Sequence, residues 1–165
     1  MTTVTLPTVP PPAPSLDGAG RRLPLPGRYT VAPGRSLTEL TAWCGPMPVL
    51  RRRVTLGEAS LTVPEDAENP SFRYEFDDRR LCAVLTSEQV DEVHGRLQLT
   101  GELDLDGTAF PVLMRLRVVE RADDRLLVVG YARLPYRLLR RATGFRLPWH
   151  RPATRLRLLV AAEFA

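Results

Sequence analysis

Two cysteines and two histidines, Cys44, Cys82, His94 and His150, are all the thiol and imidazole groups the chain offers. The cysteines stand far apart in sequence, which is neither a disulfide framework nor a paired zinc spacing. They are expected to be reduced, buried hydrophobes. Two histidines are too few for a histidine-built metal centre. A nucleophile–histidine triad would have to use one of them, and neither sits in a recognisable setting. No pair of titratable groups suggests an acid and a base sharing a pocket. No catalytic residue, metal ligand or cofactor is therefore assigned, and the chain is expected not to be an enzyme. The charged runs Arg51-Arg52-Arg53 and Arg140-Arg141 could meet a phosphate or an anionic surface, but such runs commonly just face water. Residues 136–151 mix arginines with Tyr136, Phe145 and Trp149 and read as a long loop that lines the mouth of a pocket or simply packs, because Gly144 and Pro148 break any amphipathic helix.

Composition narrows the partners further. The chain has 165 residues and 23 basic groups, and every basic group is arginine. Lysine and isoleucine are absent and Asn69 is the lone asparagine. Those three residues use AT-rich codons, so a GC-rich genome explains the arginine better than a nucleic-acid partner does. The 19 acids are interspersed, and no stacking motif or groove-reading helix is visible. Nucleic acid is therefore not an expected partner. No apolar run reaches the length of a membrane-spanning helix. Residues 1–20 lack the basic start and apolar centre of a signal peptide. The expected location is the cytoplasm, and a homodimer stays open.

Such groups need elements to hold them. Seven of the 16 prolines fall before residue 27. Residues 1–27 therefore read as a disordered, semi-rigid Pro-rich leader that can neither pair in a sheet nor continue a helix. From residue 28 the apolar pattern has period two. Leu97, Leu99, Leu103 and Leu105 alternate with polar residues, and Asp106-Gly107 then marks a hairpin turn. Phe110, Val112, Met114, Leu116 and Val118 share one face of the return strand. Residues 126–134 form another strand, and Leu156, Leu158, Val160, Ala162 and Phe164 close the chain. Earlier strands are placed at 28–31, 37–44, 49–56, 58–63, 72–76 and 80–85. Pro33-Gly34 is read as a turn, and Thr86-Ser87-Glu88-Gln89 as a capping box opening one helical turn over 87–93. About nine short strands with no long amphipathic helix imply an all-β antiparallel sandwich or barrel. The domain is placed at 28–165.

A sheet with one apolar face must pack on something or close on itself. An antiparallel barrel of about eight strands holds either its own side chains or one small ligand. Strand parity sends Thr38, Leu40, Ala42, Leu97, Leu99, Leu103, Phe110, Val112, Met114, Leu116, Leu156, Leu158 and Val160 inward. Periodicity alone does not separate a hollow interior from a filled core.

Two segments carry a resemblance. Gly27-Arg28-Tyr29-Thr30-Val31-Ala32-Pro33-Gly34-Arg35-Ser36 resembles the Gly-x-Tyr-x-Ile-Asp-Pro-x-His-Ser opening of the YceI-like family. That family consists of polyisoprenoid-binding proteins with a lipocalin-like barrel. Leu99 to Val112 is similar to the family's central hairpin, and the match continues through Val118 and the final strand. It covers roughly residues 27–45 and 95–165. The family's Asp and His in the opening stand here as Ala32 and Arg35, and its next histidine falls at Cys44. Its middle signatures have no counterpart between Arg53 and Val93. The resemblance implies a lipocalin-like barrel and non-enzymatic binding of a lipid, most of all an isoprenoid-type amphiphile, in its interior. The residues expected to line that ligand are Leu40, Ala42, Leu97, Leu99, Leu103, Phe110, Val112, Met114, Leu116 and Leu158. The competing expectation is a structural or protein-interaction module filled by Phe72, Phe76, Phe110 and neighbouring leucines.

Overall fold

A computed structural model of the chain describes residues 23–66, 68–78, 81–143 and 153–165. Nine strands and one short helix follow in order: β1 (Gly27–Cys44), β2 (Met47–Arg53), β3 (Leu56–Val63), β4 (Ser71–Asp78), β5 (Leu81–Val93), β6 (Arg96–Leu105), β7 (Thr108–Arg121), β8 (Leu126–Leu134), α1 (Tyr136–Thr143) and β9 (Arg155–Phe164). Every pairing is antiparallel, and nearly all join strands adjacent in sequence. β9 returns to pair with β1 from Val31↔Phe164 to Trp43↔Arg155, which closes the sheet. β2 and β3 both run antiparallel to β1, β2 along its later half and β3 along its start. Together they make one barrel stave, interrupted at Val54-Thr55. The result is a closed antiparallel barrel of eight staves, the one of the two architectures left open by the alternation, sandwich or barrel, that the resemblance implies. Closure removes the unpaired edges that an open sheet would expose.

The inward residues form one core. Leu61, Phe72, Tyr74, Met114, Leu116, Leu158, Val160 and Phe164 are all buried within it. Along β6 and β7 buried positions alternate without a break with exposed or half-buried ones from Leu97 to Leu105 and from Phe110 to Arg117. The polar partners in these strands face solvent, so each strand satisfies one apolar and one wet surface.

Local chemistry explains where the elements differ from expectation. Residues 87–93 continue β5 and form no helical turn. The Ser87 hydroxyl accepts the Phe72 backbone N–H at 2.8 Å across the sheet, so it is not available as a helix cap. The extra residue, Glu88, is absorbed in a β-bulge between Ser87 and Gln89. Residues 28–44 are one long strand that passes an irregularity at 31–36, where Gly34 has φ 78°. The chain keeps its direction there, so Pro33-Gly34 makes no hairpin. The break in the second stave lies at Val54-Thr55, before Gly57, because Val54 N–H bonds the Thr38 carbonyl and pulls the chain to β1. Residues 136–143 form α1, opened by the Pro135 carbonyl accepting from Leu138 and Leu139. Proline just ahead of a helix is already in the helical φ range. Residues 144–152 of the expected loop, His150 among them, lie outside the described residues.

The leader expected over 1–27 lies outside the described residues as far as 22. At its end Leu23 is buried, and Leu25 N–H bonds the Asp123 carbonyl at 3.0 Å. The Tyr29 hydroxyl donates to the Leu25 carbonyl at 2.7 Å. Residues 23–26 are thus stitched onto the barrel end.

Candidate functional site

The ten residues expected to line a ligand all point inward, and none is more than 5% exposed, with Val112 the highest. Met114, Leu116 and Leu158 have no exposure at all. A channel wide enough for an alkyl chain would admit a water-sized sphere and leave measurable area on its walls. These walls carry almost none. Across the interior Phe72 stacks on Tyr74 with ring centres 6.3 Å apart, and Phe164 meets both rings edge-on at 5.7 and 6.0 Å. Phe76 and Phe110 are buried as well. α1 adds Tyr136 and Leu139 to the same core.

Two polar atoms in this interior lack partners among the described residues, Thr38 Oγ1 and the Tyr74 hydroxyl. Burial pushes the Tyr74 phenol far above the ordinary tyrosine range, because the phenolate would have no solvent. No group of three or more His, Cys, Asp or Glu among the described residues could hold a metal. Cys44 is only half-buried and Cys82 is exposed, correcting the expectation of buried thiols. Cys82 alternates outward between the inward Leu81 and Ala83, so its place follows from parity.

The outer wall carries the more distinctive arrangement. β8 and β9 pair Arg133 directly with Arg157, and β9 and β1 pair Arg155 with Trp43. Arg155 and Arg157 are two apart on one strand, so they share the outer face with Arg133. The three guanidinium-bearing residues and Trp43 line a cleft of about 240 Å³. Arg155 Nη2 donates to the Gly45 carbonyl at 2.7 Å, and Arg157 lies 4.3 Å over the Tyr131 ring. Thr154 fixes the neighbouring strand end, its N–H and hydroxyl both meeting the Trp43 carbonyl. Like charges directly opposite in a sheet repel. At a spacing of about 6 Å in water, each such pair costs roughly 0.7 kcal/mol.

Sequence reading singled out other arginines. Arg51 pairs with Glu39 at 3.0 Å and Arg52 with Asp78 at 3.5 Å, so two of that run are neutralised. Arg140 and Arg141 sit in the last turn of α1 and line a second cleft with Tyr136, Arg137 and Ala153. The Arg133–Arg155–Arg157 group is scattered in sequence, and only the β8–β9 register brings it together. Its one sequence signal is the acid-free stretch around it.

No model of a known protein family matches the chain, and no curated protein is significantly similar to it. No helix among the described residues is long and apolar enough to cross a membrane.

Proposed function

We propose that the protein is a non-enzymatic interaction module whose barrel is a filled scaffold and whose outer wall meets its ligands. The observation that supports this reading is the near-zero exposure of the inward residues, together with the Phe72–Tyr74–Phe164 cluster across the interior. Dense packing of that kind makes the barrel rigid and keeps the outer side chains in fixed register. Fixed register is what a binding surface needs.

A second reading keeps an isoprenoid-type lipid inside the barrel. It draws on the resemblance of residues 27–45 and 95–165 to YceI-like proteins and on the two hydroxyls without partners among the described residues, Thr38 Oγ1 and that of Tyr74. The experiment that separates them is native mass spectrometry of the purified protein, organic extraction of the same sample, and titration with a fluorescent hydrophobic amine. The filled-scaffold reading expects the bare polypeptide mass and no saturable probe uptake. Stoichiometric recovery of a lipid, or uptake that a prenyl alcohol displaces, would overturn it in favour of the second.

A further inference from the structure

We infer that Arg133, Arg155 and Arg157 form a binding site for a multiply charged oxyanion of the di- or triphosphate type. The inference rests on the reading that ligands meet the outer wall. Four observations carry it. The first is register: Arg133 and Arg157 are directly opposed on β8 and β9, a placement that self-repulsion disfavours without a counter-charge. The second is neutralisation elsewhere on this wall. Glu39 is taken by Arg51, and Glu163 by Arg35 and Arg125. Among the described residues no carboxylate pairs with Arg133, Arg155 or Arg157.

The third observation is pre-positioning. A backbone carbonyl holds Arg155 and an aromatic face holds Arg157, both contacts that leave the positive charge uncompensated. A guanidinium fixed in this way offers its forked N–H groups to phosphate oxygens at little ordering cost. The fourth is charge distribution along the chain. Residues 126–162 hold eight arginines and no Asp or Glu, while the rest of the chain holds 15 arginines against 19 acids. Codon bias explains arginine in place of lysine, but it does not expel acids from one stretch. The cleft, about 240 Å³, is small for a drug-sized molecule. It suits a compact phosphate chain with Trp43 as its side wall.

Such phosphates come free in solution or on a lipid headgroup, and the test has an arm for each. Inorganic tripolyphosphate is titrated calorimetrically into the full-length protein in low salt. Co-sedimentation is measured with phosphatidylcholine vesicles, with and without diacylglycerol pyrophosphate. Both assays are repeated with Arg133→Gln, Arg157→Gln and, as a control on the far wall, Arg73→Gln. One-to-one tripolyphosphate binding that weakens about tenfold in each of the first two variants, with the control unchanged, supports the site and a free ligand. Sedimentation only with the anionic vesicles, lost in the same two variants, supports it with a lipid source. Arg133 has no polar partner among the described residues, so Arg133→Gln should not lower the melting temperature of the unliganded protein. Absence of binding in both arms, or equal loss in Arg73→Gln, overturns the site. The filled-scaffold reading would survive that result, since only a lipid recovered from the interior overturns it.

Discussion

Replacing Tyr74 by phenylalanine tests the interior at a single atom. Tyr74 is fully buried, stacked on Phe72 and set edge-on to Phe164, and its hydroxyl has no partner among the described residues. Phenylalanine keeps the ring and both aromatic contacts and removes only the stranded oxygen. A buried hydroxyl without a hydrogen bond costs about 1–3 kcal/mol. Tyr74→Phe should therefore stabilise the fold, by about 1 kcal/mol at neutral pH, which is the low end of that range. Burial also raises the folded-state phenol far above its unfolded value near 10. The stability tied to that proton is fully present below pH ~10 and is lost as pH rises further, because only the unfolded chain then releases it. One unit above the unfolded value, at pH ~11, the wild type should lose a further ~1.4 kcal/mol relative to the variant. The chain has no lysine, so no side-chain ammonium complicates an alkaline scan, and the α-amino group and the remaining tyrosines and cysteines are common to both proteins. Urea unfolding at pH 7, 9 and 11, followed by circular dichroism, measures both differences. A Tyr74→Phe protein less stable than the wild type at pH 7 would refute the reasoning. It would mean that the hydroxyl is satisfied in solution by a trapped water or a ligand, and that the interior holds more than side chains.

Three further substitutions probe the same frame. Gly101→Ala should destabilise the barrel by about 2 kcal/mol or prevent folding, because the new Cβ would meet the Thr86 carbonyl and lie 2.7 Å from Ser87 Cα; denaturant titration reads this, and a neutral result would mean that β5 and β6 part easily. Ser87→Ala should cost about 1–3 kcal/mol by leaving the buried Phe72 N–H without its acceptor; hydrogen exchange at the Phe72 amide should accelerate, and unchanged protection would show that another acceptor replaces it. Leu116→Ala should cost about 2–5 kcal/mol and open a dry cavity; the variant should take up a small apolar probe that the wild type excludes, and equal uptake by both would argue that the wild-type barrel already has room.

Much of the wall was legible from parity. Once Leu97 and Leu99 are assigned inward, the two-residue period carries the same side to Leu103 on β6 and through Phe110, Val112, Met114 and Leu116 on β7, and each is buried. Asp106-Gly107 was legible for a local reason. Both residues have positive φ, and Gly107 N–H bonds the Asp104 carboxylate at 2.9 Å. His94-Gly95 makes the corresponding turn between β5 and β6, with φ 49° and 71°. It went unread because histidine is a weaker turn signal than Asp or Asn, and because the capping-box pattern competed for residues 87–93. The Arg133–Arg155–Arg157 group was not legible. Its geometry depends on which residue of β9 faces which residue of β8, a register set across the twenty residues of chain between them rather than by a short turn.

Whether such a barrel is hollow turns on how its sheet bends, which inward parity does not encode. Gly101 and Gly130 both occupy inward positions, and at both a neighbouring strand's backbone lies too close to leave room for a Cβ. A Cβ on Gly130 would meet the Arg115 carbonyl and the Leu116 side chain, as one on Gly101 would meet Thr86. Glycine at such positions, with bulges nearby between Ser87 and Gln89 and between Val118 and Glu120, lets the wall turn tightly. Close backbone approach of this kind leaves no inner space beside either glycine. Phe164 on β9 touches Phe72 and Tyr74 on β4 across the interior. An inward glycine beneath a neighbouring strand's backbone is thus one contributor to the close packing of this barrel, and in the sequence it reads only as one more small residue in an alternating run.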